Sequence, residues 1–213
     1  MTEQKAALFD LDGTLADSMW VWDRLLIDFL ERQGLETPPH ILNEVSHMSL
    51  TQSSAYIQKE FQLSMTPEEI RKEWTDMVYE AYSKKITLKA GAADYLRDLK
   101  EQGVRLAIVT SCDQTLCEVC LKNNGVYSLF DVFTYADQVG KGKSSPDIYL
   151  ECLRRLNVPA AEAVLFEDIL TALRTAKKIG MKVVAVEDER AKADRKQIQY
   201  ESDYYIRDFR QLL

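Results

Sequence analysis

The sequence predicts an α/β protein in which a doubly wound parallel sheet carries an all-helical cap, inserted after the first strand. Short apolar runs typical of buried strands recur along the chain, and amphipathic helical patterns lie between most of them. One long interval, residues 17–88, contains helical patterns only. Apolar strands that alternate with helices are typical of a parallel sheet covered on both faces.

Six segments have the composition of buried strands, because each is a short apolar run between turn-forming or polar residues. In an open parallel sheet, ligands bind beyond the carboxyl ends of the strands, so the residues that follow these segments are the first candidates for function. The segments are AALF (6–9), RLAIVT (105–110), DVFTYA (131–136), AVLFED (163–168), KVVAV (182–186) and DYYI (203–206).

Three helical segments alternate with the later strands, and each places its apolar residues on one face. They cover residues 91–102, 145–156 and 169–180. Gly103 follows the first of them and Gly180 ends the third, as is common where a helix stops. We expect these helices to cover the two faces of the sheet.

The interval between the first strand and the rest of the sheet has no segment with a strand pattern. Its helical segments need an apolar surface to pack on, and the economical arrangement is a cap that lies over the strand ends. The helical segments are 17–32, 50–61 and 66–85, the cap domain is predicted as residues 17–88, and the core domain as residues 1–16 and 89–213.

Local signals support the boundaries of these cap helices. Pro38 and Pro39 break the pattern after the first of them. Thr66, Pro67 and Glu69 open the third with an N-cap residue, a proline at the first helical position and a residue placed to complete a capping box.

Composition excludes several classes of function. The chain has 213 residues, 46% of them hydrophobic and 29% charged, which is ordinary for a soluble globular protein. A net charge of −7 argues against a nucleic-acid surface, since Lys and Arg supply most of that affinity. No run approaches the roughly 18 apolar residues of a membrane span, and no signal-peptide core follows MTEQK. We expect a cytoplasmic protein without nucleic-acid or membrane partners.

Four cysteines are present, and three of them fall within nine residues, which raises the question of a metal site. The segment CDQTLCEVC lacks the second C-x-x-C pair of a structural zinc site. We therefore expect reduced thiols that pack as small apolar side chains. They are Cys112, Cys117, Cys120 and Cys152.

The segment FDLDGTLADS (9–18) sets two acids at the end of the first strand. In an extended segment, Asp10 and Asp12 would point the same way. Gly13 allows a sharp turn that brings backbone N–H groups toward whatever the acids face. Two such carboxylates repel each other unless one is protonated or a cation lies between them, most simply Mg²⁺. A plain turn that caps a helix is the alternative explanation.

Three other sites at strand ends carry groups that bind oxyanions or metals. Thr110 and Ser111 follow a strand and can donate hydrogen bonds to an oxyanion. Lys143 precedes a helix, and its ammonium group can reach a strand-end site. Glu167 and Asp168 close another strand and can complete the oxygen ligands of a metal.

Nucleotide-binding motifs do not fit. The GKS at 142–144 would need a glycine at position 137 to make a phosphate loop, and the chain has Asp137 there. No G-x-G-x-x-G follows any predicted strand.

Taken in order, DLDGT, TS, K followed by PD, and ED resemble the motifs of the haloacid dehalogenase-like (HAD) superfamily of aspartate-dependent phosphohydrolases. The resemblance is to the helical-cap branch that includes β-phosphoglucomutase and phosphoglycolate phosphatase, and it covers nearly the whole chain. It implies a Rossmann-like core, a Mg²⁺ cofactor and an aspartyl-phosphate intermediate. It also implies that Asp10 is the nucleophile and Asp12 the general acid and base. The implied phosphate-binding residues are Thr110, Ser111 and Lys143, and the implied metal-binding residues are Asp10, Asp12 (through its backbone carbonyl), Glu167 and Asp168.

Within this branch, the cap sequence favours a phosphatase over a sugar phosphomutase. A mutase needs basic groups for a second phosphate, whereas the chain has Trp22, Leu50 and Met77 at the corresponding positions. We therefore expect a monomeric Mg²⁺-dependent phosphatase that acts on a small phosphorylated metabolite, such as a sugar phosphate. A β-phosphoglucomutase-like mutase is the first alternative. A non-catalytic phosphate-responsive module is the second, and the long insert argues against it.

Some cap residues are candidates for the specificity pocket, although aromatic and methionine side chains at helical spacing are more often part of a core. His47 is predicted either to face this pocket or to lie at the surface. The other candidates are Trp20, Trp22, Met48, Leu50 and Met77.

Overall fold

The computed structural model describes residues 4–45 and 48–213 and contains one six-stranded parallel sheet in the order β3-β2-β1-β4-β5-β6. The predicted fold class is therefore confirmed. The first strand lies in the middle of the sheet, so that Phe9 pairs in register with Ile108 on one side and with Phe166 on the other. The strands are β1 (Ala6–Phe9), β2 (Arg105–Thr110), β3 (Val132–Tyr135), β4 (Ala163–Glu167), β5 (Lys182–Val186) and β6 (Tyr204–Ile206).

Both faces of the sheet are covered, as the near-continuous apolar strands predict. Successive residues of β1 point to opposite faces, and all four are buried. Ala6 and Leu8 belong to one apolar cluster, whereas Ala7 and Phe9 belong to another, which extends into the cap. The helices are α1 (Met19–Arg32), α2 (Pro39–Val45), α3 (Leu50–Glu60), α4 (Pro67–Lys84), α5 (Ala92–Glu101), α6 (Gln114–Asn123), α7 (Ala136–Val139), α8 (Asp147–Leu156), α9 (Leu170–Lys178) and α10 (Arg195–Glu201).

The cap consists of α1 to α4. Helices α1 and α4 pack through Phe29 and Trp74, whose rings meet edge to face with their centroids 5.5 Å apart. The predicted start of α4 is confirmed, since Thr66 and Glu69 form a capping box and Pro67 occupies the first turn. In contrast to the predicted break at Pro38 and Pro39, α2 begins at Pro39, because proline fits the first position of a helix.

Two chain segments connect the cap to the sheet, and they run side by side. Asp17 N donates to Thr87 O at 3.0 Å, and Lys89 N donates to Leu15 O at 2.7 Å. Ala16 also pairs with Leu88 as an antiparallel bridge. This paired connection lies directly after the DLDGT segment, so it places the cap above the carboxyl end of β1. The domain boundaries at 16/17 and 88/89 remain predictions.

Polar contacts also join the cap to the core away from these connections. Arg71 on α4 forms a 2.9 Å ion pair with Asp113, which caps α6, and Thr51 on α3 donates to Asp137 at 2.8 Å. Among the described residues, no helix combines the length and the apolar composition that a membrane span requires.

Candidate active site

The predicted strand-end residues converge at one end of the sheet. Lys143 Nζ forms an ion pair with Asp10 and a second one, at 2.8 Å, with Glu167 Oε2. Carboxylate oxygens of Asp10, Glu167 and Asp168 all lie within 4.8 Å of one another. The structure thus brings together residues that are more than 150 positions apart in the sequence.

Asp10 is buried beside one cation and several anions. Burial raises its pKa to about 7; the charge of Lys143 opposes this shift, and the carboxylate of Glu167 adds to it. Burial by itself lowers the pKa of Lys143, but the charges of Asp10 and Glu167 outweigh burial, so that the pKa lies above its ordinary value. Lys143 is therefore a fixed cation in this site.

Asp168 is held by the turn that follows β1. Thr14 Oγ1 donates to Asp168 Oδ1 at 2.9 Å, and both residues are buried. Gly13 has a φ of +82°, and a Cβ atom there would lie 2.7 Å from Asp168 Oδ2. Burial raises the pKa of Asp168 well above its usual range, and the neighbouring carboxylates add to this shift.

Glu167 organises this site through both of its carboxylate oxygens. Oε1 accepts from the backbone N–H groups of Asp168 and Ile169, at 3.0 and 3.2 Å, and Oε2 binds Lys143. By contrast, Oδ2 of Asp10 and Oδ2 of Asp168 accept no hydrogen bond from a described residue. Asp10 and Asp168 are therefore better placed than Glu167 to bind a metal through their side chains.

Asp12 lies apart from this acidic cluster, because its carboxylate is held by the cap side. Its Oδ1 accepts hydrogen bonds from Ser18 Oγ and Tyr82 OH, both at 2.5 Å. Burial and the charge of Asp12 raise the pKa of Tyr82 well above its usual range, so the phenol stays protonated and donates. The expectation that Asp10 and Asp12 point the same way assumed an extended segment, whereas β1 ends at Phe9 and residue 12 lies in the turn.

Sequence reasoning missed three residues that support these acids: Thr14, Ser18 and Tyr82. Thr14 and Ser18 belong to the quoted segment FDLDGTLADS, so their hydroxyl groups were visible beside the acids. Tyr82 lies 70 positions from Asp12, and nothing in the sequence pattern distinguishes it from Tyr79, the other tyrosine of the α4 segment.

The end of β2 forms another edge of the site. Thr110 is buried, and its Oγ1 accepts from Cys112 N at 3.0 Å. Burial raises the pKa of the Cys112 thiol well above its usual range, and the nearby charge of Asp12 adds to this effect, so the thiol is neutral. All four cysteines are free and buried.

A cavity of about 200 Å³ lies between the sheet and the cap. The predicted residues Asp10, Asp12, Thr110, Ser111 and Lys143 line its core side. Of the cap candidates, the side chains that line the cavity are Trp22, Met48 and Leu50.

The other cap candidates lie elsewhere. Trp20 is half exposed at the start of α1, where its Nε1 donates to Asp17 O at 3.1 Å. Met77 packs against the apolar cluster that the cap shares with the sheet. His47 lies outside the described residues.

The family and the relatives that this chain matches are consistent with a phosphohydrolase site. The family model described as haloacid dehalogenase-like hydrolase matches residues 7–186. Protein CbbY of Cereibacter sphaeroides is 29% identical over 84% of this chain and 83% of its own length. Hexitol phosphatase A of Escherichia coli is 30% identical over 85% of this chain and 82% of its own length.

Solved structures show the same fold with a helical cap. Crystalline CbbY from Rhodobacter sphaeroides in complex with phosphate superposes with a TM-score of 0.87 and 26% identity, covering 98% of this chain and 96% of that one. β-Phosphoglucomutase from Clostridium difficile, at 18% identity, has a TM-score of 0.81 over 99% of this chain and 93% of its own. The prediction of a phosphohydrolase enzyme is confirmed by the family match and by relatives that are named phosphatases. The chain belongs to the haloacid dehalogenase-like hydrolases, in the subfamily whose core carries an inserted helical cap.

Proposed function

We propose that this protein is a Mg²⁺-dependent phosphatase that hydrolyses a small phosphorylated metabolite, a sugar phosphate or a similar phosphomonoester, through an aspartyl-phosphate on Asp10. The observation that supports this most is the grouping of Asp10, Lys143 and Asp168, because Asp10 and Lys143 line the same cavity as Asp12. The similar proteins support this proposal, since they include a phosphorylated carbohydrates phosphatase from Thermotoga maritima and a hexitol phosphatase.

The acidic cluster fits a magnesium ion. Mg²⁺ prefers oxygen ligands, and Asp10 and Asp168 each present a carboxylate oxygen without a hydrogen-bond donor among the described residues. Two buried carboxylates this close disfavour each other's ionised form, and a divalent cation relieves that repulsion. Asp10, Asp168 and the backbone carbonyl of Asp12 would hold the ion, with Glu167 beside it. The bound metal would offset the charge between the nucleophile and the phosphoryl group.

The chain's own groups supply the remaining chemistry. The Asp10 carboxylate attacks phosphorus, a P–O bond forms to Asp10, and the bond to the leaving oxygen breaks. Lys143 and the Thr110 hydroxyl hold the phosphoryl oxygens, because this reaction depends mainly on positioning and electrostatic stabilisation. In its protonated form, Asp12 donates a proton to the leaving oxygen, and it regains one from the water that then cleaves the aspartyl-phosphate.

The mutase alternative has weaker support. A CbbY variant has been crystallised in complex with xylulose-(1,5)bisphosphate, so this relative binds a compound with two phosphates. In the present chain the cap side of the cavity offers Trp22 and Leu50, which do not bind a second phosphate. A phosphatase with a single phosphate site therefore fits this cavity better.

The proposed activity is tested by phosphate release from a generic aryl phosphate, with Mg²⁺ and with a chelator. We expect turnover that requires the metal and that Asp10→Asn lowers by roughly 1,000-fold or more, as is typical when a nucleophile is lost. Asp76→Asn is the control, since Asp76 is an exposed carboxylate on α4 that pairs with Lys72. Full activity of Asp10→Asn would contradict the assignment. A stable phosphorylated protein without turnover would instead favour the phosphate-responsive module.

A further inference from the structure

The cavity above Asp10 has two walls of opposite character. Its core wall carries the groups proposed to bind the phosphoryl group and the metal. Its cap wall is built from α1 to α4 and the residues between them, and no described side chain of this wall is charged. When the phosphoryl group lies at Asp10, the rest of the substrate has to occupy the space beside the cap wall. The apolar side chains there include Trp22, Leu25, Leu42, Met48, Leu50 and Trp74.

Ser53 adds a hydroxyl group to this otherwise largely apolar wall. Trp74 Nε1 has no hydrogen-bond partner among the described residues, but it is fully buried and so does not face the cavity. The polar groups of a substrate would therefore find few partners on the cap side.

The charged side chains that line the cavity belong to the core wall among the described residues. Lys143 is shared between Asp10 and Glu167. Arg190 lines the cavity from the segment after β5, and it has an interaction partner. A charged group placed against the described apolar side chains of the cap would be desolvated there, which is unfavourable.

We propose that the substrate is a phosphomonoester whose leaving group is small, largely apolar and packed against the cap wall. This inference rests on the phosphatase function proposed above and narrows its substrate class. The leaving group shares the cavity of about 200 Å³ with the phosphoryl group, which limits its size. A sugar would bring several hydroxyl groups against this wall, and each of them would need a partner.

The direct test compares cyclohexylmethyl phosphate with glucose 6-phosphate. Both are primary phosphate esters attached to a six-membered ring, so they differ mainly in the hydroxyl groups of the ring. We expect kcat/KM to be roughly 100-fold higher for cyclohexylmethyl phosphate than for glucose 6-phosphate or for 2-phosphoglycolate, which has no apolar ring. Equal or better turnover of glucose 6-phosphate would overturn the proposal.

A lysine placed in the cap wall tests whether this wall determines which leaving group the enzyme prefers. Leu50 is 8% exposed and lines the cavity. We expect Leu50→Lys to lower kcat/KM for cyclohexylmethyl phosphate and to raise it for 2-phosphoglycolate. Leu150→Lys is the matched control, because Leu150 is 47% exposed on α8 and lies outside this cavity. If Leu50→Lys left the ratio of the two substrates unchanged, the cap wall would not contact the leaving group.

Binding to the Asp10→Asn variant, measured by calorimetry, separates this proposal from the proposed function. Tighter binding of cyclohexylmethyl phosphate than of glucose 6-phosphate would support the apolar subsite even if the wild-type protein hydrolysed nothing, and the absence of hydrolysis would contradict only the phosphatase. Turnover of sugar phosphates, together with their tighter binding, would support the phosphatase and overturn the apolar subsite.

Discussion

Lys143 dominates the electrostatics of the site, because its single positive charge pairs with two buried carboxylates, Asp10 and Glu167. We expect Lys143→Met to lower kcat/KM by roughly 100-fold or more, because a fixed cation that stabilises the transferred phosphoryl group is lost. The variant should also be less stable, by about 3–5 kcal/mol, because the carboxylates are left unpaired. Phosphate release and denaturant unfolding measure the two effects.

Lys141→Met is the matched control for this variant. Lys141 is 61% exposed in its side chain and forms a surface ion pair with Asp147, and such pairs contribute about 0–1 kcal/mol. Equal effects of the two substitutions would contradict the central role of Lys143.

The increase in Tm that Mg²⁺ causes should depend on pH, because Asp10 has to be ionised to bind the metal. Its pKa in the folded protein is about 7, above the ordinary value of 3.8, so the stability associated with its protonated form is lost as the pH rises through about 7. Mg²⁺ needs the ionised carboxylate. We therefore expect Mg²⁺ to raise the Tm more at about pH 8 than at about pH 5.5, as thermal unfolding with and without the metal would show. The same increase at both pH values would argue against Asp10 as a ligand.

Gly13 allows the turn after β1 to pass close to Asp168. Gly13→Ala would place a Cβ atom 2.7 Å from Asp168 Oδ2 and would hold a side chain at a φ of +82°. We expect weaker Mg²⁺ binding and lower kcat, measured by metal titration of the activity. Gly103→Ala is the control, since Gly103 has a φ of +78° with nothing within 4 Å of its Cβ position. Both variants should lose about 1–2 kcal/mol of stability from the backbone strain, but only Gly13→Ala should lose metal affinity.

At the scale of elements, helix α4 links the cap to the chemistry through Tyr82, whose hydroxyl group donates to Asp12. We expect Tyr82→Phe to lower kcat by roughly tenfold with little change in KM, because a buried hydrogen bond that orients the general acid is lost. Steady-state kinetics on a generic phosphomonoester measure both constants. Tyr79→Phe is the control, because Tyr79 lies on the same helix and is 44% exposed. A change confined to KM would indicate a role in substrate binding instead.

Elements with strong local patterns could be predicted from the sequence. The bounds of β1, β2 and β5 agree with their apolar runs, and α4 begins where its capping residues indicate. Helix α2 was missed because Pro39 stands at its first position and suggests a break. The predicted strand over 131–136 is shorter in the structure, since Asp131 accepts from Leu106 N through its side chain and Ala136 begins α7.

At the scale of the whole molecule, the site forms where two parts of the chain meet. The motif residues follow strand ends, and parallel strands place their carboxyl ends at one edge, so their convergence could be predicted from the sequence. The partners that Ser18 and Tyr82 provide for Asp12 could not, because they depend on how the cap packs on the sheet. The apolar character of the cap wall was suggested by Trp22 and Leu50, but only the structure shows that they line the cavity.

The central claim is that the carboxylate of Asp10 attacks phosphorus. It is tested most directly by quenching the enzyme during turnover, reducing the trapped acyl phosphate with borohydride and identifying the modified residue by peptide mass spectrometry. The account predicts that position 10 is converted to homoserine, in a metal-dependent manner. Modification at another residue, or rapid turnover without any trapped acyl phosphate, would contradict it.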